Sequence, residues 1–563
     1  MAQPVNPPVA RSDLLTRWGM LKSERASWWS HWQDISTTLL PRYGRFFVQD
    51  RNRGQKRHQS IYDSTATRSL RILGAGLMGG MTSPARPWFR LTTPHADLNK
   101  QTAVREWLSD VTMLMLEVFA KSNTYRALHQ GYEELGSFGT FASIVTEDYT
   151  SVIHHHPLTT GEFCVAANWR GDVDTLYREF QKPVGAIVKE FGRENCSTTV
   201  QNLFDRGTLD SWVTLVHAIE PRDDRDPRMK DARNMAWRSV YMELGADGDK
   251  RLREGGFKSF PALAARWATQ GGDIYGTSPA MDALGDVRQL QHQQLRKGQV
   301  IDYQTKPPLQ VPTSLKNRDV DALPGGVTFY DNNSPQAGIR TMFDVNLRLD
   351  YLLTDIQDVR QRINSAFYTD LFMMISESDG KMTAYEVARR NEEKMMMLGP
   401  VLERLHNELL DPLVECTFAK MVAAGIVPTP PPEMQGVDLN VEFVSMLAQA
   451  QRAIATNGID RYVANLGQIA AFKPDVLDKF DADHWADEYA DMLGVDPRMV
   501  VANDKVALVR QQRAQQQAAA QQTAQAEQAA SAMQKLGGVP TGQGAGNAAN
   551  DVMRAFSGYT GAA

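Results

Sequence analysis

A glycine-rich stretch is the first place in the chain where residue types and spacing suggest chemistry. Gly74, Gly76 and Gly79 form a G-x-G-x-x-G pattern, which cradles a pyrophosphate when a strand precedes it and a helix begins at it. Here the preceding residues have helical spacing, and Pro84 and Pro87 follow soon after. We therefore predict no dinucleotide site. We expect the glycines to end a helix and to let another backbone approach closely.

Three consecutive histidines form the main imidazole cluster of the sequence. Neighbouring side chains of a strand point to opposite faces, so only His154 and His156 could share a metal ion. Glu162 and Cys164 are candidate cross-strand ligands. We expect surface or interface histidines rather than a metal site, and the sequence assigns no role to the cluster.

A charged loop is the remaining candidate for metal chemistry. Asp223, Asp224 and Asp226 alternate with Arg222 and Arg225, which predicts a loop that neutralises itself rather than a two-metal site. The sequence contains no Gly-Lys-Ser/Thr phosphate loop, no His-Glu-x-x-His and no Gly-x-Ser-x-Gly motif. The sequence therefore predicts no enzyme activity, no cofactor and no metal.

Length and charge limit the remaining classes of protein. The 563 residues exceed the roughly 250–300 at which single cores stop growing, so several structural units are expected. The chain has 61 basic and 66 acidic residues, giving a formal charge of -5. This balance argues against tight binding of nucleic acid, which needs clustered Lys and Arg, but it is compatible with loose contact.

Cysteine content and hydropathy point to a soluble protein. Cys164, Cys196 and Cys416 lie far apart in the sequence, so we expect three buried, reduced thiols rather than a disulfide framework. No stretch approaches the ~20 apolar residues that span a bilayer. We therefore expect a protein that is made in a cytoplasm and has no membrane partner.

The first half of the chain predicts an α+β body with an antiparallel sheet. Apolar spacing predicts helices over residues 14–40, 64–77, 98–122 and 184–191. Trp28, Trp29 and Trp32 of the first helix are expected to pack in a core. Strands are predicted over residues 141–149, 152–156, 163–169, 173–180, 212–219 and 235–242, with a hairpin turn at 168–172.

The second half predicts long helices. Ser278 as N-cap, Pro279 after it and Gly298 at the end mark a helix over 278–298. Residues 299–339 are rich in Pro and Gly, with short strands expected at 300–303 and 327–330. A helix is then expected to run from about 340 to 375 and to break in the polar stretch 376–381. Another is expected from 382 to about 424, interrupted by Pro400 and Pro412, with its kink at Pro400.

The C-terminal part predicts a strand and further helices. Residues 437–443 have strand character, and helices are expected over 446–493. Residues 505–536 are rich in Gln and Ala, which favour a long helix. Its apolar face is thin, so it needs neighbours, which we expect to be copies of itself. The Gly- and Ala-rich tail 537–563 is expected to be disordered.

A heptad seam is the clearest periodic signal in the chain. Apolar residues recur at spacings of three and four while charged residues occupy the other faces, which predicts helices that pack side by side. The seam consists of Leu349, Leu352, Ile356, Val359, Ile363 and Ala366.

Several separated segments resemble one protein family. They lie at 24–41, 62–89, 172–179, 275–280, 382–387 and 398–413. Together they resemble portal proteins, the head-to-tail connectors of short-tailed (podovirus-type) bacteriophages, over roughly residues 12–515. The most characteristic segment, 62–89, contains the residues that we expect to pack the subunit body against its neighbours. These are Gly74, Gly79, Gly80, Pro84, Pro87 and Trp88.

The resemblance implies a mainly helical α+β portal architecture. Its successive parts would be a wing, a first stem helix, a clip, a second stem helix, a tunnel loop, a kinked wing and crown helix, a crown, a barrel helix and a disordered tail. In the same order they would occupy residues 1–277, 278–298, 299–339, 340–375, 376–382, 383–430, 431–504, 505–536 and 537–563.

The resemblance also implies a function and a set of partners. Family members form a dodecameric ring at one capsid vertex, through which double-stranded DNA is packaged and ejected. In such a ring we expect the heptad seam to join neighbouring subunits. Their partners are the terminase large subunit, scaffolding and major capsid proteins, and tail adaptor or tail tube proteins. The chain would lie in the virion, and in the host cytoplasm during assembly. The alternative is a structural adaptor or scaffold subunit of another assembly, and an enzyme using the Gly74 region is the least favoured class.

The predicted tunnel loop gives the most specific hypothesis. We expect Lys381 to meet DNA phosphate, while Glu377 and Asp379 keep the channel wall from holding DNA. Deleting the loop should impair packaging or retention of DNA and leave ring assembly intact. The residues expected to line the channel are Ser376, Glu377, Ser378, Asp379, Gly380 and Lys381.

Overall fold

The computed structural model shows an α+β protein that is mainly helical, as the sequence predicted. The chain forms two compact units. The first consists of Met1–Thr92, Ser109–Thr429 and Leu439–Phe480, and the second of Thr93–Leu108, Pro430–Asp438 and Asp481–Ala563. The structure describes residues 9–46, 61–99, 101–226, 228–229, 231–246, 248–305, 309–310, 340–341, 349–376, 398–434, 436–444, 462–493, 501 and 503–537.

The helices and strands of the described residues are labelled here in chain order. The helices are α1 (Arg11–Thr38), α2 (Thr65–Met81), α3 (Ala96–Asn99), α4 (Thr102–Lys121), α5 (Thr124–Phe138), α6 (Val184–Phe191), α7 (Thr198–Asp205), α8 (Pro279–Thr305), α9 (Leu349–Ala366) and α10 (Thr369–Ser376). The strands are β1 (Phe89–Thr92), β2 (Thr140–Asp148), β3 (Val152–Leu158), β4 (Phe163–Ala167), β5 (Val173–Pro183), β6 (Trp212–Pro221), β7 (Trp237–Glu243), β8 (Arg253–Phe257), β9 (Ala262–Arg266), β10 (Leu309–Gln310), β11 (Arg340–Thr341) and β12 (Asn440–Phe443). Single short turns of helix lie at Arg193–Asn195, Ala232–Asn234, Pro432–Met434 and Pro474–Lys479.

An antiparallel sheet with strand order β4-β5-β6-β7-β8 is the largest in the described part. One face packs against α1, where Leu14, Trp18 and Leu21 share one helical stripe. Trp18 stacks on Tyr177 of β5, with ring centroids 6.2 Å apart. Helices α6 and α7 cover much of the other face. The predicted strands are confirmed, and so is the turn at 168–172 that joins β4 to β5.

A second, three-stranded sheet has the order β3-β2-β9. The sequence prediction missed β9, β8, α5 and α7. Helix α5 was missed because its buried side includes Gly131, Gly136 and the carboxylates of Glu133 and Glu134, which do not give an aliphatic stripe. Burial of such residues depends on the partner helix, which local spacing does not reveal.

Tryptophans and cysteines follow the expected burial in part. Trp32 is buried, while Trp28 and Trp29 are half-buried, so core packing is confirmed most clearly for Trp32. All three cysteines are free thiols. Cys416 is only partly buried, unlike the other two.

Helix α8 is longer than predicted. The hydroxyl of Ser278 accepts a hydrogen bond from the Met281 amide at 3.1 Å, which confirms it as the N-cap. The predicted stop at Gly298 is wrong, as is the strand at 300–303, because the helix continues to Thr305. Glycine disfavours a helix interior by only about 1 kcal/mol, which the flanking turns overcome. Residues 327–330 lie outside the described part.

The predicted second stem helix is interrupted. Residues 340–341 form β11, which pairs with β10, and the helix proper begins at Leu349. It breaks after Ala366, where Tyr368 adopts a φ of 54°. A tyrosine in the left-handed region is uncommon, and spacing gave no sign of it.

The helix over residues 398–423 contains a wide turn. A π-helical segment, His406–Leu410, precedes the α-helical segment Asp411–Ala423. Pro412 has no N–H to donate to the carbonyl of Glu408, and the wider turn accommodates this loss. The π-helical segment therefore lies beside Pro412, one of the two prolines predicted to interrupt this helix, while Pro400, where the kink was predicted, sits in the first described turn.

The last described helices agree with the sequence. Helices cover residues 462–470, Ala482–Leu493 and Asn503–Gly537. The last has 35 residues, or about 52 Å at 1.5 Å per residue. Described side chains along 505–528 are exposed except Val506. The predicted tail lies outside the described residues. None of the helices that the structure describes is long and apolar enough to cross a membrane.

Candidate structural site around helix α2

Helix α2 passes straight through the glycine-rich motif. It extends from Thr65 to Met81, so the prediction that these glycines end a helix is wrong. In a helix interior, backbone amides donate to carbonyl groups four residues earlier. The amides of Gly76 and Gly79 therefore do not form the N-terminal cradle that a pyrophosphate needs.

Two of the glycines allow side chains of other helices to approach closely. A Cβ on Gly74 would lie 2.9 Å from Cγ of Glu133 in α5. A Cβ on Gly76 would lie 2.2 Å from the ring of Phe372 in α10. Gly136 of α5 is equally tight, with 2.7 Å to Leu70 of α2. The small residues thus let α2 pack against α5 and α10 at short range.

The other residues of the family signature play unequal parts. Gly79 has open space where a Cβ would lie. Gly80 is half-buried, and Pro84 and Pro87 are exposed. Contact between these residues and a neighbouring subunit remains a prediction.

Trp88 lies in the core of its own unit. Its side chain is 1% exposed, and its ring centroid is 4.6 Å from that of Phe89 and 5.7 Å from that of Phe119. It also stacks on Phe443 at 6.4 Å, beside the antiparallel pairing of β1 with β12. Trp88 therefore joins the segment after α2 to a strand from much later in the chain.

Asp63, just before α2, anchors this helix to α9 and α8. Its Oδ2 accepts hydrogen bonds from Nη2 of Arg360 at 2.6 Å and from Nε2 of Gln294 at 2.9 Å. Its Oδ1 accepts from the amide of Thr65 at 2.9 Å. Burial alone would raise the pKa of Asp63, but the hydrogen bonds from Thr65 and Arg360 lower it below its ordinary value. The carboxylate is thus held ionised.

The side chain of Gln291 in α8 holds the backbone of the same segment. Its Oε1 accepts from the amides of Tyr62 and Asp63, at 2.6 and 2.8 Å. Its Nε2 donates to the Asp63 carbonyl at 2.8 Å. We call Asp63, Gln291, Gln294 and Arg360 the Asp63 clamp. Sequence reasoning missed it, although an Asp two residues before a helix is a local signal for capping.

The predicted heptad seam packs inside the chain. Ile356, Val359 and Ile363 are 2%, 0% and 0% exposed, because α9 lies against α8 and α2. Leu352 and Ala366 are half-buried, and the side chain of Leu349 lies outside the described set. The buried members are thus occupied by their own chain, and subunit contact through the seam remains a prediction.

A buried carboxylate lies behind α2. Glu134 of α5 is fully buried and accepts hydrogen bonds from Thr159 Oγ1 at 2.6 Å and from Thr160 Oγ1 at 3.1 Å. Burial raises its pKa to about 7, against the lowering effect of these hydrogen bonds. The hydroxyl of Tyr43 donates to the adjacent Glu133.

The three histidines alternate between the two faces of their strand, as predicted, but they are not all at the surface. His154 and His156 share a face, with ring centroids 4.8 Å apart, while His155 points the other way and is 1% exposed. The expectation of surface histidines is therefore wrong for His155. Glu162 and Cys164 lie beside or on β4, which pairs with β5 rather than β3. No metal-binding group of three or more such residues occurs among those described.

The charged loop pairs with the sheet rather than with itself. Asp224 forms an ion pair with Arg238 of β7 at 2.7 Å. Arg222 pairs with Glu254 of β8 at 3.2 Å. The prediction of a self-neutralised loop is thus wrong, because its partners come from neighbouring strands.

The tunnel-loop prediction falls almost entirely outside the described residues. Ser376 is the last residue of α10. Glu377, Ser378, Asp379, Gly380 and Lys381 follow it beyond the described part.

Comparisons with known proteins identify the family. The model of the bacteriophage head to tail connecting protein family matches residues 11–500. The chain belongs to this family. It is 64% identical to the probable portal protein of Bordetella phage BPP-1 over 551 residues, covering 98% of this chain and 99% of the relative. It is 45% identical to the portal protein of Salmonella phage epsilon15 over 508 residues, covering 90% and 91%.

Solved structures show a weaker likeness. A chain in the virion of a native gene transfer agent particle is 10% identical, with a TM-score of 0.30 over 77% of this chain and 90% of that chain. One from the neck of the native particle, computed with C12 symmetry, has 10% identity and a TM-score of 0.32 over 72% and 86%. Membership of the connecting-protein family therefore rests on the sequence relatives, and it gives this chain a portal or connector function in the phage particle.

Proposed function

We propose that twelve copies of this chain form a ring at one capsid vertex, and that double-stranded DNA passes through it during packaging and ejection. The observation that carries this proposal is 64% identity to a probable portal protein along 98% of the chain. Homo-oligomers are mostly closed and symmetric. The packing of α2 against α5 and α9 within one chain gives each copy a body of its own to place in such a ring.

The C-terminal helix supports a barrel built from many copies. A 35-residue helix with exposed side chains has little to stabilise it within its own chain. Leu508 and Val509, 60% and 49% exposed, are apolar groups that a neighbouring copy would cover.

The role is structural, and the energy for DNA movement comes from a partner. We propose that the ring docks the terminase large subunit, scaffolding and major capsid proteins during assembly in the host cytoplasm, and tail adaptor or tail tube proteins afterwards. The net charge of -5 suits a conduit through which DNA slides, because few phosphates would be neutralised.

Electron microscopy of the purified full chain tests the ring. We expect closed rings with a central pore and twelve-fold symmetry. Irregular or low-order oligomers would instead favour an adaptor or scaffold subunit, and monomers would contradict both.

Deletion of residues 377–381 tests the conduit. Rings should form as in the wild type, while particles assembled with the variant should package or retain less DNA. Normal DNA content in those particles would contradict a role for the loop in the channel.

A further inference from the structure

The face of the five-stranded sheet opposite α1 carries a row of cationic and aromatic side chains. Strand register places Arg178, His217, Tyr241 and Arg253 opposite one another on β5, β6, β7 and β8. Strands lie about 4.8 Å apart, so this row is about 15 Å long. His217 and Tyr241 stack at its centre, with ring centroids 3.8 Å apart. The two ends of the row are therefore arginines.

Aromatic rings hold three cations close together. The Arg178 guanidinium lies 4.6 Å from the Phe180 ring centroid, and Nζ of Lys182 lies 5.8 Å from the same centroid. Lys182 and Arg253 likewise share the Phe191 ring, at 5.8 and 5.4 Å. Lys182 lies four residues along β5 from Arg178. We call this lysine and the two arginines at the ends of the row, Arg178 and Arg253, the cationic row. Contact with the rings positions the charges before any partner arrives.

Acidic groups neutralise the row only in part. Lys182 forms an ion pair with Glu190. Arg178 donates from Nε to Nδ1 of His217 at 3.2 Å rather than to a carboxylate. Glu162 also lowers the charge near Arg178, but it is itself paired with Arg45 at 3.2 Å. Among the described residues, neither arginine of the row has an ion-pair partner.

The cations near this surface add to burial in lowering the pKa of two histidines. Burial lowers the pKa of His217 well below its usual range, and Arg178 and Arg253 lower it further. Burial also lowers the pKa of His156 to about 4, with Arg178 and Lys182 among the further causes. Both imidazoles are therefore neutral at pH 7, and the positive charge of this surface comes from the cationic row.

We propose that the cationic row binds an acidic segment of a partner protein. The charged groups of Arg178 and Lys182 both lie over the Phe180 ring, so they are at most about 10 Å apart. An extended segment with a carboxylate at every second residue presents charges about every 7 Å, which long side chains can bring to both cations. Duplex DNA carries one charge per ~1.7 Å, and proteins that bind it tightly make about 6–10 phosphate contacts. Three cations are fewer than such a DNA site needs, and they match a short acidic peptide better.

Fluorescence anisotropy with the full chain tests this binding. The probe is a fluorescein-labelled peptide of alternating glutamate and serine, and a labelled DNA duplex of similar length serves as the competing class. We expect the peptide to bind at low salt and to dissociate as salt screens the charges. The double substitution Arg178→Gln and Arg253→Gln should weaken binding about tenfold, since two ion pairs are lost.

Matched variants separate binding from folding. Lys121→Gln with Arg193→Gln removes the same charge from cations that pair elsewhere, with Glu117 and Asp205, and should leave affinity unchanged. Arg253→Gln alone should weaken peptide binding without disturbing the Arg178–His217 hydrogen bond. Arg178→Lys keeps the positive charge and should largely retain peptide binding.

Three results would overturn the proposal. They are failure of the wild type to bind the peptide, an equal loss of affinity in the Lys121 and Arg193 control, and tighter binding of the duplex that the same substitutions abolish. The last would assign the row to nucleic acid.

Discussion

The glycine-containing helix α2 and the Gln- and Ala-rich C-terminal helix differ in where their stabilisation comes from. In α2, Leu70, Leu73 and Leu77 are each 0% exposed, and glycines let other helices pack close to its backbone. The helix Asn503–Gly537 shows exposed side chains along its described length. The first is stabilised by contacts within its own chain, whereas the second has few such contacts along its described length, and we propose that other copies of the chain stabilise it. The contrast separates the stability of the subunit from the stability of the assembly.

Replacing Trp88 with alanine should have the largest effect on the subunit. Loss of a buried tryptophan ring between Phe89, Phe119 and Phe443 should lower the free energy of unfolding by about 3–5 kcal/mol. Denaturant titration followed by tryptophan fluorescence and circular dichroism measures the change. Trp169→Ala is the control, since that side chain is 87% exposed and its loss should leave stability nearly unchanged. Equal effects of the two would contradict the assignment of Trp88 to the core.

The buried Glu134 predicts a pH dependence. Its folded-state pKa is raised to about 7 from 4.5, so between these values the unfolded chain binds fewer protons than the folded one. Stability should therefore fall as pH rises from about 4.5 to 7, by on the order of 3 kcal/mol. Glu134→Gln should remove this contribution, so its stability relative to the wild type should increase with pH across that window.

Unfolding of both proteins at several pH values checks this slope. Glu117→Gln alters an exposed carboxylate, 56% accessible, and serves as the control. A parallel pH profile for Glu134→Gln and the wild type would show that Glu134 ionises normally in the fold.

Two glycines of one helix give an internal comparison. Gly76→Ala should destabilise by about 1–3 kcal/mol, because its Cβ would overlap the Phe372 ring. Gly79→Ala faces open space and should stabilise by up to about 1 kcal/mol through helix propensity. Thermal melts of the two variants should shift in opposite directions. Shifts of the same sign would mean that close packing does not decide the role of Gly76.

The C-terminal helix should show the smallest effect on the body. Ala519→Pro should reduce helicity measured by circular dichroism, because proline interrupts a helix. It should change the main unfolding transition by less than about 0.5 kcal/mol, and Ala519→Gln should change neither. A large loss of body stability would mean that this helix supports the subunit core.

Local signals were sufficient for some parts of the fold. The stripe of α1, the Ser278 cap and the Gln/Ala composition each predicted a helix, because those features act within a few residues. The position of α6 was also correct. These elements are determined by short-range chemistry that a sequence displays directly.

The features that the sequence did not reveal depend on distant partners. The glycines of α2 stay helical because α5 and α10 pack against them. The break at Tyr368 and the Asp63 clamp depend on tertiary contacts. The family was recognised from motifs and is confirmed, but the part played by each signature residue required the fold.

The Asp63 clamp constrains the order in which the chain can fold during synthesis. Asp63 and Arg360 are 297 residues apart, and translation adds about 5–20 residues per second. Asp63 thus waits about 15–60 s for its guanidinium partner after it emerges from the ribosome. The N-terminal half cannot reach its final arrangement until α9 has been made. A terminated or truncated chain that lacks α9 is therefore left without this partner, and a chain extended through α9 is the first one able to form the Asp63–Arg360 ion pair.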